Sequence, residues 1–418
     1  MSLGENAAYA LGPITLARGE GLRVWDDEGR EYLDCISGTF NLILGHNHPV
    51  VVAAIKSQAD ALIFASSTFQ TEETRRLMAR LVEISPDNLT RVNLRSSGGS
   101  TANEGAIKIA RTVTGRRDVI VPFRTHPGQT LAMAEISGFS RLRQAFPTLE
   151  ARALNVPDPY CARCFYRQEP SSCGFLCVDR IADFLEYAGS GDAACLLMEP
   201  ISGVGGNIVP PPGYLKALRT FCEERGILLI FDENQTSFGR TGHLFAADAL
   251  GVRPDMITVS KGLTGSGLPL AAILMEERLA VLDRGLHGFT FGGGNLAAGA
   301  ALASLDVITA PGFLENVRVV GAYLLDRLKA LGETNPHVFE ARGLGLMIGV
   351  ELCAQDRTRA PALTAAMQTT LLQHGVITRV SEQGEGNVIE LRPPLVLTLE
   401  DAGLIADRFA AALEEVCR

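Results

Sequence analysis

Between about residues 90 and 300 the chain alternates short apolar runs with amphipathic stretches, and this alternation restricts the fold more than any other feature. The runs are DVIVPF at 118–123, ACLLMEP at 194–200, ILLIFDE at 227–233, MITVS at 256–260 and LAAILM at 270–275. Between two of them, Tyr214 to Arg225 reads as a helix stopped by Gly226. Strand, helix, strand in this order predicts a mostly parallel α/β sheet. Before it, Trp25 to Asp34 reads as a hairpin, and Gly45-His46-Asn47-His48-Pro49 as a loop leading into a helix from Val50 to Ile63. After about residue 310, helices over Glu315–Leu331, Pro361–His374 and Leu399–Val416, with the segment Gly343–Leu352, predict a smaller α+β domain. The expected division is 1–50 as the N-terminal part of the small domain, 51–308 as the large domain and 309–418 as its C-terminal part. Residues 157–177 interrupt the pattern as a loop-rich insertion.

Composition narrows the function. Of 418 residues, 46% are hydrophobic and 20% charged, which fits a packed globular chain and excludes wholesale disorder. No apolar run approaches the ~20 residues of a membrane span. The net charge of −9, with no Lys/Arg block, disfavours nucleic acid and anionic membranes as partners. The start, MSLGENAAYALGP, lacks the basic region of an export leader. Nine cysteines, an odd number, then read as reduced thiols of the cytoplasm.

In a parallel α/β sheet, ligands sit beyond the carboxyl ends of the strands. The apolar runs there end in Asp232, in Ser260-Lys261 and in Glu199. An acid and a lysine at neighbouring strand ends can be a plain ion pair. The surroundings favour more. Lys261 precedes Gly262-Leu263-Thr264-Gly265-Ser266-Gly267, a loop with almost no bulk. A lysine that forms and exchanges a Schiff base needs partial desolvation and open space of this kind. Asp232 heads the polar run Asp-Glu-Asn-Gln-Thr, and a carboxylate buried at a strand end can keep a pyridinium nitrogen protonated, as pyridoxal phosphate requires. Ser96-Ser97-Gly98-Gly99-Ser100-Thr101 precedes a helix over Ala102–Thr112, with Thr101 and Glu104 at capping-box spacing. Small residues at such a helix start expose backbone N–H groups that bind phosphate.

The stretch from Met198 to Met275 resembles the class III pyridoxal-phosphate aminotransferases. So do Gly99-Ser100-Thr101-Ala102-Asn103-Glu104, Thr290-Phe291-Gly292-Gly293, Arg342-Gly343-Leu344-Gly345-Leu346-Met347 and Pro393-Pro394-Leu395, in the family's order from about residue 20 to the C-terminus. The resemblance implies fold type I: a large domain with a mostly parallel, seven-stranded type of sheet, a smaller α+β domain and a homodimer. It implies amino transfer between an amine or amino acid and a keto acid or aldehyde. Lys261 matches the Schiff-base lysine and proton shuttle, Asp232 the partner of the ring nitrogen, and Gln235 the residue touching the ring hydroxyl. Gly99, Ser100 and Thr101 match the phosphate loop. Thr290 matches a threonine that reaches the phosphate from the second subunit.

Departures from the family sharpen the expectation. His126 stands where an aromatic residue stacks on the ring, and Asn234 where a valine packs on its other face. Many members carry an Arg that grips the α-carboxylate, three residues before the Pro-Pro pair; here that position is Glu390. The Glu that neutralises that Arg is replaced by Val204. Arg392, two residues on along the same strand face, is the substitute candidate. The loss of both halves together predicts a substrate whose reactive amine lies away from an α-carboxylate. Racemase, epimerase or decarboxylase chemistry on the same scaffold is the alternative. A nicotinamide dehydrogenase is a distant one, since no Gly-x-Gly-x-x-Gly follows a first βαβ strand. Within the insertion, Cys161-x-x-Cys164 and Cys173-x-x-x-Cys177 have four-ligand spacing, so a structural zinc is a further expectation, against four unligated thiols. A zinc-stapled binding protein without catalysis is the remaining reading, opposed by the presence of both Lys261 and Asp232.

Overall fold

Seven strands form the central sheet, in the order Arg91–Ser96, Ala271–Met275, Met256–Val259, Leu228–Asp232, Cys195–Met198, Val119–Pro122, Ala153–Val156. All run parallel except Ala271–Met275, which is antiparallel to both neighbours. This computed structural model describes residues 12–145, 153–283, 285–381 and 386–418. The five central strands come from the five apolar runs and are buried at every position, because helices cover both faces. The two edge strands, Arg91–Ser96 and Ala153–Val156, carry mixed sequences and are only partly buried, so no apolar run announces them.

The helix Tyr214–Arg225 has its predicted bounds and ends at Gly226, whose φ of 60° is the left-handed conformation of a helix stop. Leu399–Val416 also keeps its predicted limits, and Pro361–Gln373 starts at its proline. Outside the central sheet, the hairpin Arg23–Asp26 and Glu31–Asp34 is joined in parallel by Val376–Ile377, so the two ends of the chain share one small sheet. A third sheet holds Val338–Leu344, Met347–Leu352, Val388–Leu391 and Arg379–Val380. Leu33, Leu196, Phe231, Ile257 and Phe409 are all fully buried in one continuous core that runs through these parts. Among the described residues, no single helix is long and apolar enough to cross a membrane. Residues 1–11, most of the segment read for a leader, lie outside the described residues.

Candidate active site

The carboxyl ends of three neighbouring strands converge with a helix N-terminus. Leu228–Asp232 ends in Asp232, Met256–Val259 leads into Lys261, and Cys195–Met198 leads into Glu199. Together with Gly99, Ser100, His126, Gly128, Asn234 and Gln235 they line a cavity of about 180 Å³.

Asp232 is buried. Its Oδ1 accepts the Asn234 backbone N–H at 3.0 Å and its Oδ2 accepts Asn103 Nδ2 at 2.7 Å. Burial pushes this carboxyl up; the Lys261 charge and these donors pull it back. Asn103 is itself fixed, donating to the Pro127 carbonyl at 2.7 Å and accepting the Thr258 hydroxyl at 2.6 Å. Lys261 has φ 36°, a left-handed backbone that costs a non-glycine residue about 1–3 kcal/mol and that the loop after it imposes. Burial drives its amine down, while Asp232 and Glu199 hold it up. Glu199 accepts the N–H groups of His126 at 2.8 Å and Gly203 at 2.7 Å. Burial, then the Asp232 charge, raise it to about 7. Burial, then the Lys261 and Arg379 charges, lower His126 to about 4, so its ring is neutral.

The helix Gly99–Thr114 begins three residues earlier than its predicted start. Thr101 caps it from inside, donating to the Gly98 carbonyl at 2.8 Å and accepting its N–H at 3.2 Å. Glu104 does not pair with Thr101; it accepts the Thr130 hydroxyl. The first-turn N–H groups therefore open toward the cavity end of the sheet. A methyl at Gly99 would lie 2.7 Å from Asn234 Nδ2, and one at Gly128 2.2 Å from Ser100 Oγ, so the cradle is already as tight as glycine allows. Two buried polar atoms bordering the cavity, His126 Nδ1 and Asn234 Oδ1, have no partner. A phosphate cradle, an acid, an amine and two polar atoms awaiting a ligand fit pyridoxal phosphate.

Val204, Thr290, Glu390 and Arg392 do not line this cavity. Val204 is buried in the loop after Glu199. Thr290 is exposed on the segment before helix Asn295–Ile308. Glu390 and Arg392 are both fully buried, 3.3 Å apart. Arg392 donates to Asn207 Oδ1 through Nε at 3.1 Å and through Nη2, and to Gln235 Oε1 through Nη1. Its guanidinium lies 4.0 Å from the Phe40 ring centroid. Arg392 thus touches the cavity lining through Gln235, and its charge bears on Lys261 and Glu199.

Sequence reasoning missed Arg379. It lies opposite Glu390 in the antiparallel pair Arg379–Val380 and Val388–Leu391. Its guanidinium shares the Phe40 ring at 5.4 Å, and among the described residues it makes no hydrogen bond or ion pair. Its charge bears on Lys261, His126 and Glu390. No local signal marks it, because only strand pairing brings it here. Asn103 was similarly hidden inside a quoted motif.

The zinc expectation is corrected. Cys161, Cys164, Cys173 and Cys177 do line one small cavity, with Phe165, Tyr166 and Phe175. They are free thiols, and among the described residues no three His, Cys, Asp or Glu side chains are placed to hold a metal. The insertion is instead tied down by Arg163 Nε donating to Glu351 at 2.6 Å, with Tyr160 donating to the same carboxylate.

Comparisons with known proteins cover nearly the whole chain. The family described as aminotransferase class-III matches residues 6–413. An acetylornithine aminotransferase of Methanothermobacter thermautotrophicus is 36% identical over 96% of this chain and 93% of its own. A leucine/methionine racemase of Thermococcus litoralis is 36% identical over 97% of this chain and 91% of its own. An amine transaminase from an uncultivated Pseudomonas species, solved with pyridoxal phosphate bound, superposes with a TM-score of 0.90 at 32% identity, covering 99% of this chain and 98% of that one.

Proposed function

The chain belongs to the class III aminotransferases and is a pyridoxal-phosphate-dependent aminotransferase, and we propose that Lys261 and Asp232 carry its chemistry. The observation behind this is their meeting in one cavity beside the start of helix Gly99–Thr114. When bound, the cofactor supplies an electron sink for the substrate's amine-bearing carbon. Gly99, Ser100 and Thr101 hold its phosphate through first-turn N–H groups. With the cofactor bound, Asp232 would hold a proton at the ring nitrogen; its hydrogen-bond donors oppose the burial that raises its carboxyl. His126 and Asn234 would flank the ring of the bound cofactor, and Gln235, oriented by Arg392, would hold the ring hydroxyl. Lys261 Nζ would hold the cofactor and move a proton to and from the substrate carbon; its lowered basicity favours the neutral amine that both roles need. Borohydride reduction of the holoenzyme followed by peptide mapping places the label on Lys261. A label on another lysine overturns this assignment.

The domain division at residues 50 and 308 belongs to the same proposal, supported by the shared sheet of the two chain ends. So does a homodimer. Phe291 is 65% exposed beside Thr290, and Phe69 at 73% and Ile63 at 61% extend an apolar face that a second copy suits. Cytoplasmic residence belongs to the same proposal, supported by the free thiols among the described residues. For substrates, Arg379, which makes no ion pair among the described residues and whose charge bears on Lys261, is the group we assign to a substrate carboxylate, with the reactive amine at a distance from it. Racemisation is the second reading, favoured by the Thermococcus relative. Product formation that needs no keto acid would decide for it.

A further inference from the structure

We propose that His287 is a positioning residue that clamps the Thr290 segment onto the phosphate cradle of its own chain. The proposal rests on the reading that Thr290 completes the cofactor phosphate site of a second subunit. His287 is 4% exposed, although Gly285, Leu286, Gly288 and Thr290 around it are all exposed. Its ring turns inward. Nε2 lies 3.2 Å from the hydroxyl of Ser96, the residue that leads the edge strand into the cradle loop. The ring also hydrogen-bonds the backbone of Thr101 in the cradle helix. On its other side Lys108 Nζ lies 3.4 Å from Nδ1 and donates to the Leu286 carbonyl at 3.2 Å. An ammonium can only donate, so Nδ1 accepts and Nε2 carries the proton.

Helix Gly99–Thr114 makes room for this ring. Gly105 stands in its interior, where glycine costs about 1 kcal/mol against alanine. A methyl there would lie 2.5 Å from His287 Nε2 and 2.6 Å from Ile273 Cδ1. Beyond His287 the segment follows the same strand: the Phe289 N–H donates to the Arg95 carbonyl at 3.0 Å, and a methyl at Gly292 would meet that oxygen at 2.1 Å. Thr290 is therefore held between two anchors, one of them a titratable ring. The charged groups facing that ring are Lys108 and Arg95, both cations, and burial adds to their effect in keeping it neutral. Protonation of Nδ1 removes the acceptor for Lys108 and sets like charges against each other, so the clamp loosens in acid.

The test is the rate of cofactor release from the holoenzyme, followed by absorbance from pH 5 to pH 8. His287→Ala releases cofactor about tenfold faster, the loss of one to two ordinary hydrogen bonds. Gly105→Ala, which keeps the histidine but takes its space, does the same, although alanine alone would strengthen the helix. Wild-type release accelerates only toward the acid end of that range, because burial and the neighbouring cations hold the His287 ring below its ordinary value. His287→Gln, which keeps a donor but does not titrate, releases at near the wild-type rate at pH 8 and loses the acid acceleration. Folded His287→Ala and Gly105→Ala proteins that release cofactor at the wild-type rate overturn the clamp. If Thr290→Ala leaves release unchanged, the Thr290 reading fails; if Thr290→Ala speeds it and His287→Ala does not, the clamp alone fails.

Discussion

Asn103 holds Asp232 in register with the cofactor ring, and its removal has a calculable cost. Its amide makes three hydrogen bonds in a fully buried setting: to Asp232 Oδ2 at 2.7 Å, to the Pro127 carbonyl at 2.7 Å, and from the Thr258 hydroxyl at 2.6 Å. A hydrogen bond to a charged group contributes about 1.5–3 kcal/mol and each neutral one about 1 kcal/mol. Asn103→Ala strips all three and leaves their partners unsatisfied, so urea denaturation of the apoenzyme reads a loss of about 3–5 kcal/mol. The Asp232 share is felt by the cofactor as well. With one fewer donor the buried carboxylate is harder to keep ionised, and about 1.5–3 kcal/mol corresponds to a cofactor affinity lower by about 10- to 150-fold. Equilibrium titration of apoenzyme with pyridoxal phosphate measures it. Thr258→Val loses only the third bond, so its affinity falls far less. An Asn103→Ala protein with unchanged cofactor affinity refutes the chain of support from Thr258 through Asn103 to Asp232.

Lys261→Ala loses turnover by many orders of magnitude, since one amine serves both cofactor attachment and proton transfer, and single-turnover assays at saturating cofactor measure the remainder. Arg379→Met raises KM for a carboxylate-bearing substrate at least tenfold while changing KM for a simple amine little; equal effects on both would exclude a carboxylate contact. Glu199 has a folded pKa of about 7 against an ordinary 4.5, so the folded state binds the extra proton between those values and loses stability as pH rises through them. Glu199→Gln removes that dependence, so denaturation at pH 5 and pH 8 finds the variant gaining on wild type at the higher pH, by on the order of 3 kcal/mol.

The central strands were legible because burial on both faces leaves an uninterrupted apolar run, and three of the five runs lead into a polar residue that lines the cavity. Asp232, Lys261 and Glu199 could be picked out for that reason alone. Tyr214–Arg225 was legible through its glycine stop. The edge strands were not, since a half-exposed strand such as RVNLRS has the composition of a loop. Spacing also misled. Thr101 and Glu104 have the offset of a capping pair, but the helix starts at Gly99, which shifts Thr101 into its first turn and frees Glu104 for Thr130. The four cysteines have the offsets of a zinc site, yet their cavity is lined with aromatic rings. Arg379 and His287 carry no local pattern at all; the pairing of strands, and a glycine in a helix, bring them to their places.

The replacement of an arginine by Glu390 predicted a repulsive site. A carboxylate ~4 Å from an incoming one, at an effective dielectric near 20, opposes it by about 4 kcal/mol. The geometry changes the sign of that argument. Glu390 lies 3.3 Å from the Arg392 guanidinium, both fully buried, so its charge is matched within the same strand before any substrate arrives. Arg392 spends its remaining donors on Asn207 and Gln235, although its charge still bears on Lys261 and Glu199. Directly across the sheet from Glu390 stands Arg379, half-buried, stacked near the same phenyl ring and without an ion pair among the described residues. Of the three charges, one cation is left over. In our reading the pair at 390 and 392 therefore does not abolish recognition of a carboxylate; it shifts the free cation one strand over, to Arg379. With that shift, Val204 needs no acid to balance an arginine on its own side of the site.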